Sequence, residues 1–289
     1  SLMSGTIITM SSSHWLLAWA GLEMNTLAMI PIIAKQHHPR ATEAATKYFL
    51  MQATASALIL FASTMNAWKT GYWDISQLSL TESTMMLTLA LAMKLGLAPL
   101  HFWLPEVLQG STLFTALIIS TWQKLAPISL LFLTINSLNN KTLIILGLIS
   151  TLVGGWLGLN QTQLRKIMAF SSIAHMGWLF MALTINQNMT LITLITYLLL
   201  TTAMFTTLIS TTSKTLTDMG TTSSITPTLL AISMLTLMSL GGLPPLTGFM
   251  PKWIILSELV SNNFPLISLM LALSTLPSLF FYLRMSQMT

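Results

Sequence analysis

Glu23, Lys94, Lys124, Lys252 and His175 each stand in a stretch that is otherwise apolar. The stretches read WLLAWAGLEMNTLAMIPII, MMLTLALAMKLGLAPL, LFTALIISTWQKLAPISLLF, GFMPKWIILSEL and MAFSSIAHMGWLF. A charged side chain at the centre of a membrane span costs roughly 2.5–3.5 kcal/mol on insertion scales, so such residues call for a reason. Snorkelling to the headgroups does not supply one for Lys94. It lies about ten residues into its segment, about 15 Å deep at 1.5 Å per residue, beyond the reach of a lysine stem. Burial disfavours the charged form of an amine, so a buried lysine takes up and releases a proton more readily than an exposed one. A line of such groups suits a proton relay. A structural ion pair such as Glu23 with Lys94 is compatible with that role, but lysines outnumber carboxylates here. For His175, helix packing and relay both stand.

The elements that would position these groups are unusual. Residues 96–107, GLAPLHFWLPEV, recur without a gap as 242–253, GLPPLTGFMPKW, at an offset of 146 residues. Gly96, Leu97, Pro99, Leu100 and Pro105 are matched by Gly242, Leu243, Pro245, Leu246 and Pro251. Proline has no N–H and clashes with the preceding turn, so both stretches are expected to interrupt a helix. The freed carbonyls then need a polar or hydrated surrounding. His101 lies inside the first interruption, where capping those carbonyls and joining a water chain are equally open. Lys252 and Glu106 share one repeat position with opposite charge, Lys94 aligns with Leu240, and Lys124 has no basic counterpart. The halves are therefore not equivalent.

Composition sets the surroundings. Of 289 residues 53% are hydrophobic and 7% charged, against about 25% charged in soluble domains. A water-facing surface cannot be made from this chain. The apolar runs are long and unbroken, which favours helices over a β-barrel. Segments are expected at 1–11, 14–34, 45–68, 84–104, 113–136, 142–159, 164–184, 190–213, 227–262 and 264–283, the ninth unwound in its middle. The first is too short to span, so a fragment is expected. No polar joint is large enough for an extramembrane domain. The expectation is an all-α, polytopic bundle, one membrane domain over 1–289, with repeats over about 1–136 and 142–283. The two interruptions lie five segments apart and so enter from opposite sides, a design of inverted repeats whose working site lies near the midplane.

Lys35, Arg40, Lys47, Arg165, Lys166, Lys214 and Arg284 flank the segments on one side, and Lys69 and Lys141 on the other, which sets the orientation. With no cysteine there is no disulfide and no thiolate or iron–sulfur ligation. The net charge of +5 is too thinly spread for nucleic acid. His37–His38 is an adjacent pair in a joint, without haem-like spacing. GGWLGLN (154–160) lacks a strand–helix context, so close helix packing is favoured over phosphate binding. Methionines and tryptophans read as lipid-facing or core filler, and Asp74, Glu82 and Asp218 as solvated loop residues.

SSHWLLAWAGLEMN, HHPRATEAATKYFLMQATAS, LAMKLGLAPLHFWLPEVLQG, TWQKLAP, GGWLGLNQTQLRKIMAFSSIAHMGW and LSLGGLPPLTGFMPKW resemble the antiporter-like membrane subunits of mitochondrial respiratory complex I, a family related to cation/proton antiporters. The resemblance runs through nearly the whole chain. It implies inverted five-helix repeats, each with a discontinuous helix, and makes the basic side the matrix. On that pattern Glu23 matches the family's charged glutamate, Lys94 the lysine before the first break, Lys124 the central bridging lysine, and Lys252 the lysine of the second broken helix. Family members extend further at both ends.

The resulting expectation is a proton-translocating subunit of NADH:ubiquinone oxidoreductase in the mitochondrial inner membrane. No cofactor or metal is expected in this chain. NADH, FMN, iron–sulfur clusters and ubiquinone would belong to partner subunits of the membrane and matrix arms, and no nucleic acid is expected. The alternatives are a stand-alone cation/proton antiporter and a passive assembly subunit.

Overall fold

A computed structural model describes residues 1–35, 38–222 and 227–288. The helices are α1 (Leu2–Ser11), α2 (Trp15–Ala34), α3 (Pro39–Thr70), α4 (Thr81–Leu95), α5 (Trp103–Gly110), α6 (Leu113–Ser120) and α7 (Leu125–Thr134). They continue as α8 (Asn140–Gly158), α9 (Leu164–Ile185), α10 (Gln187–Thr211), α11 (Leu216–Thr222), α12 (Pro227–Gly241), α13 (Phe249–Ser261) and α14 (Pro265–Met288). Among the described residues seven helical stretches are long and apolar enough to cross a membrane, α6 and α7 counting as one. The chain divides into two compact units, Ser1–Leu143 and Ile144–Thr289. His37 and residues 223–226 of the polar joint after Thr222 lie outside the described residues.

In the first unit α1 packs on α2, α2 on α3, and α3 on α4 and α5. α3 begins six residues before the apolar run that announces it. Pro39 occupies the first turn, and His38 Nδ1 accepts from Arg40 N at 3.2 Å. That added turn carries Glu43, whose carboxylate lies 2.5 Å from Lys47 Nζ one turn on; hydropathy reads the turn as a joint although helical bonding continues through it.

In each unit one helix is interrupted at a glycine–proline stretch, and both are ended by the same device. Gly96 closes α4 with φ +76°; Gly96 N–H donates to Met93 O and Leu97 N–H to Ala92 O. Gly242 follows α12 with φ +81°; Gly242 N–H donates to Ser239 O and Leu243 N–H to Met238 O. This left-handed glycine cap consumes two of the carbonyls a helix end exposes, and its four atoms keep the 146-residue register. Ala98–Pro99 and Pro244–Pro245 are cis.

A further interruption falls inside the segment expected to be continuous over 113–136. α6 stops at Ser120, residues Trp122–Lys124 form a 3₁₀ turn, and α7 starts at Leu125. The cause is Pro127, whose ring clashes with the carbonyl four residues back, that of Gln123, and offers it no N–H.

In the second unit α9 is buried along nearly its whole length. α10 packs on α9, α12 on α10, α14 on α12, and α13 on α9, α10 and α14. Glycines bring α8 and α9 close. A Cβ on Gly154 would stand 2.7 Å from Ala174 N and 2.9 Å from Phe170 O, and one on Gly177 would stand 2.7 Å from Thr151 Cγ2 and 2.8 Å from Gly147 O. The glycine-rich stretch is thus a packing surface. Gly177→Ala should force α8 from α9 at a cost of about 1–3 kcal/mol, read as a lower thermal midpoint of the detergent-solubilised protein; an unchanged midpoint would refute this packing.

Candidate functional site

Lys94, Lys124 and Lys252 are buried, with 6%, 3% and 8% of their surface exposed. Lys94 lies in the last turn of α4 and Lys124 at the end of the 3₁₀ turn, so each stands beside a break in regular helix. Both line one cavity of the first unit, an empty volume of about 260 Å³. Its other polar walls are Tyr48, Gln52, Trp103 and Gln123. Lys94 Nζ and Gln123 Nε2 have no hydrogen-bond partner among the described residues. Buried donors of this kind are ordinarily met by internal water, and the polar lining suits it.

Glu23 is half-buried on α2. Its carboxylate accepts from Ser56 Oγ of α3 and from Thr26 Oγ1 at 2.8 Å. It is near enough for its charge to act on Lys94, yet the two form no ion pair within 4 Å. Sequence reading did not single out Ser56. Its only signal is helical register, four residues past Gln52 on the buried face of α3, with Tyr48 one turn earlier.

The freed carbonyls of the two breaks find different donors. In the first unit the Trp103 indole N–H donates to Met93 O at 3.0 Å, with the Trp103 ring edge-on to Tyr48. Trp103 is therefore a working donor as well as core filler. His101, 3% exposed, lies against Phe102 and reaches the backbone of Pro99. In the second unit Lys252 Nζ donates to Gly241 O at 2.9 Å and to Leu240 O at 3.3 Å. An ammonium at a helix C-terminus also meets the negative end of the helix dipole. Phe249, the repeat counterpart of Trp103, has no donor. Glu106, the counterpart of Lys252, lies half-exposed on α5 with Lys47 Nζ at 2.6 Å.

His175 and Lys252 line a cavity of the second unit, an empty volume of about 370 Å³, with Thr193, Thr196 and Tyr197. Tyr282 Oη stands 3.3 Å from His175 Nε2. Three residues read as solvated loop sites do more. Asp74 is exposed, and its backbone forms an isolated antiparallel bridge with that of His14. Glu82 lies in the first turn of α4 with Lys69 at 3.4 Å. Asp218 accepts from Thr215 N and Lys214 N, which hold its carboxyl below the usual range. Among the described residues no group of three or more His, Asp or Glu could hold a metal ion.

The family described as NADH:quinone oxidoreductase/Mrp antiporter, TM, matches residues 12–277. The chain belongs to this family. It is 59% identical over 285 residues to the NADH-ubiquinone oxidoreductase chain 2 of Salmo salar, covering 99% of this chain and 82% of that one. It is 56% identical over 286 residues to the protein of the same name from Gallus gallus, covering 99% and 83%. Its structure is similar to a chain of respiratory complex I from Thermus thermophilus with bound aureothin, at a TM-score of 0.91 and 28% identity, over 98% of this chain and 67% of that one. A chain of the Mrp complex from Dietzia sp. shares the fold at a TM-score of 0.84 and 16% identity, over 98% and 58%. Family membership and the seven apolar helical stretches make it a multi-pass membrane protein.

Trp103→Phe keeps the ring against Tyr48 and deletes the donor to Met93 O. A loss of about 1 kcal/mol is expected, read as a thermal midpoint lower by a few degrees; no change would show that Trp103 only fills space.

Proposed function

We propose that this chain is a core membrane subunit of a proton-pumping NADH:ubiquinone oxidoreductase of the mitochondrial inner membrane. In this reading protons pass among Glu23, Lys94, Lys124, Lys252 and His175. NADH, FMN, iron–sulfur clusters and ubiquinone do their chemistry in partner subunits of the membrane and matrix arms. The observation that carries the reading is that Lys94 and Lys124, both more than nine-tenths buried, open into one polar cavity. Two ammonium groups facing one enclosed space repel each other, so a proton gained by one favours release from the other. Glu23 biases that exchange. A carboxylate within range holds a proton on Lys94, and drawing it away lets the proton go. Ser56 and Thr26 hold Glu23 short of an ion pair, which keeps its distance from Lys94 adjustable.

The bonds from Lys252 to Leu240 O and Gly241 O favour a second reading for that residue, a structural cap. A stand-alone antiporter would carry ion flux after purification without redox partners. Lys124→Met in the respiratory complex decides between a relay and a passive assembly role. Normal assembly with proton uptake per quinone reduced lower by roughly tenfold or more is expected, the scale of a lost proton-transfer group. Assembly lost together with pumping would make the charges scaffolding, and unchanged pumping would end the relay.

A further inference from the structure

We propose that Tyr282 is a positioning residue for His175 and ties that histidine to the interrupted end of α12. Tyr282, on α14, is 2% exposed. A buried phenol needs a partner for its hydroxyl, and this one faces His175 Nε2 at 3.3 Å, from a position 107 residues away in sequence. The tyrosine ring has a second neighbour. A Cβ on Gly241 would lie 3.7 Å from Tyr282 Cδ2 and 3.8 Å from its Cβ, so the ring rests on the last residue of α12. The carbonyl of that same Gly241 accepts from Lys252 Nζ at 2.9 Å. Lys252 and His175 in turn line one cavity. The contacts thus run from Lys252 to Gly241, from Gly241 to Tyr282, from Tyr282 to His175, and across the cavity to Lys252.

A hydroxyl suits this place because it both donates and accepts. When His175 is neutral with its proton on Nε2, Nε2–H donates to the phenol oxygen, and Ser171 is the hydroxyl's other partner. When His175 is an imidazolium, Nε2–H donates to the phenol oxygen. One contact therefore holds the ring in one orientation through both protonation states, leaving Nδ1 as the nitrogen that gains and loses the proton. The titratable groups facing His175 are Tyr197 of α10, whose ring centroid lies 5.6 Å away, Lys252 of α13 and Tyr282 of α14. The sequence of α12 contains none. Tyr282 is the group that touches both the histidine and the break, so a shift of the α12 end is transmitted to the imidazole.

The inference rests on the relay reading of His175. It is tested in the respiratory complex assembled with this chain and reconstituted in liposomes, by proton translocation driven by NADH over a range of pH. The variants are Tyr282→Phe, His175→Gln, the double variant and Lys252→Met. Tyr282→Phe keeps the ring on Gly241 and removes only the hydroxyl. It is expected to assemble, to lose proton translocation on the order of tenfold, the scale of a misplaced transfer group, and to shift the pH profile. Adding it to His175→Gln is expected to cost nothing more, because residues that act as one unit are not additive. A wild-type profile in Tyr282→Phe beside an impaired Lys252→Met overturns the inference and leaves the relay reading standing. A full further loss in the His175→Gln background, or failure of Tyr282→Phe to assemble, also overturns it. Normal pumping in Lys252→Met and Lys124→Met removes the relay reading itself.

Discussion

Inside hydrocarbon no carbonyl can turn to water, and this one constraint orders the rest of the structure. A continuous helix satisfies it without help. Once Gly96 and Gly242 end their helices in the left-handed region, the last carbonyls of α4 and α12 need donors from elsewhere. The first supply is local, from the backbone N–H groups of the caps. The second is tertiary, and it differs between the units: a neutral indole in one, an ammonium in the other. The polar groups gathered at each break make an otherwise apolar chain habitable for charge.

The different donors explain why the repeat is imperfect in sequence. A charged cap at Gly241 needs no tryptophan at the position of Trp103, and Phe249 stands there. An indole cap at Met93 frees the position of Lys252, and Glu106 occupies it, turned outward to Lys47. Lys94 and Lys252 do not align: Lys94 stands on the last turn of α4, and Lys252, on the first turn of α13, reaches back to the last carbonyls of α12. The common arrangement lies in the backbone, and the side chains reach it from different positions.

The breaks at 96–102 and 242–248 were legible because glycine and proline act on their own neighbourhood. The burial of Lys94, Lys124 and Lys252 was legible because hydropathy is a local sum. The break at Trp122–Lys124 was not read, although Pro127 announces it, because the apolar run over 113–136 passes across the proline without a polar gap. The early start of α3 was missed for the opposite reason, since Arg40, Thr42 and Glu43 are polar yet helical. Contacts between distant positions left no trace in pattern: Ser56 on Glu23 depends on how α2 meets α3, and Tyr282 on His175 depends on how α14 meets α9.

Gly242 illustrates how tightly the backbone and the charge are joined. A Cβ there would lie 2.9 Å from both Cδ and Nζ of Lys252, whereas at Gly96 the nearest atom is a leucine methyl at 3.3 Å. Position 96 is constrained by its dihedral alone, and a flexible neighbour could move aside for a larger group. Position 242 is constrained twice, by its dihedral and by the stall that houses the lysine. No remodelling of the turn that admitted an ordinary residue at 242 would leave the ammonium where it now rests, so the shape of the second gap and the location of its charge are inherited together.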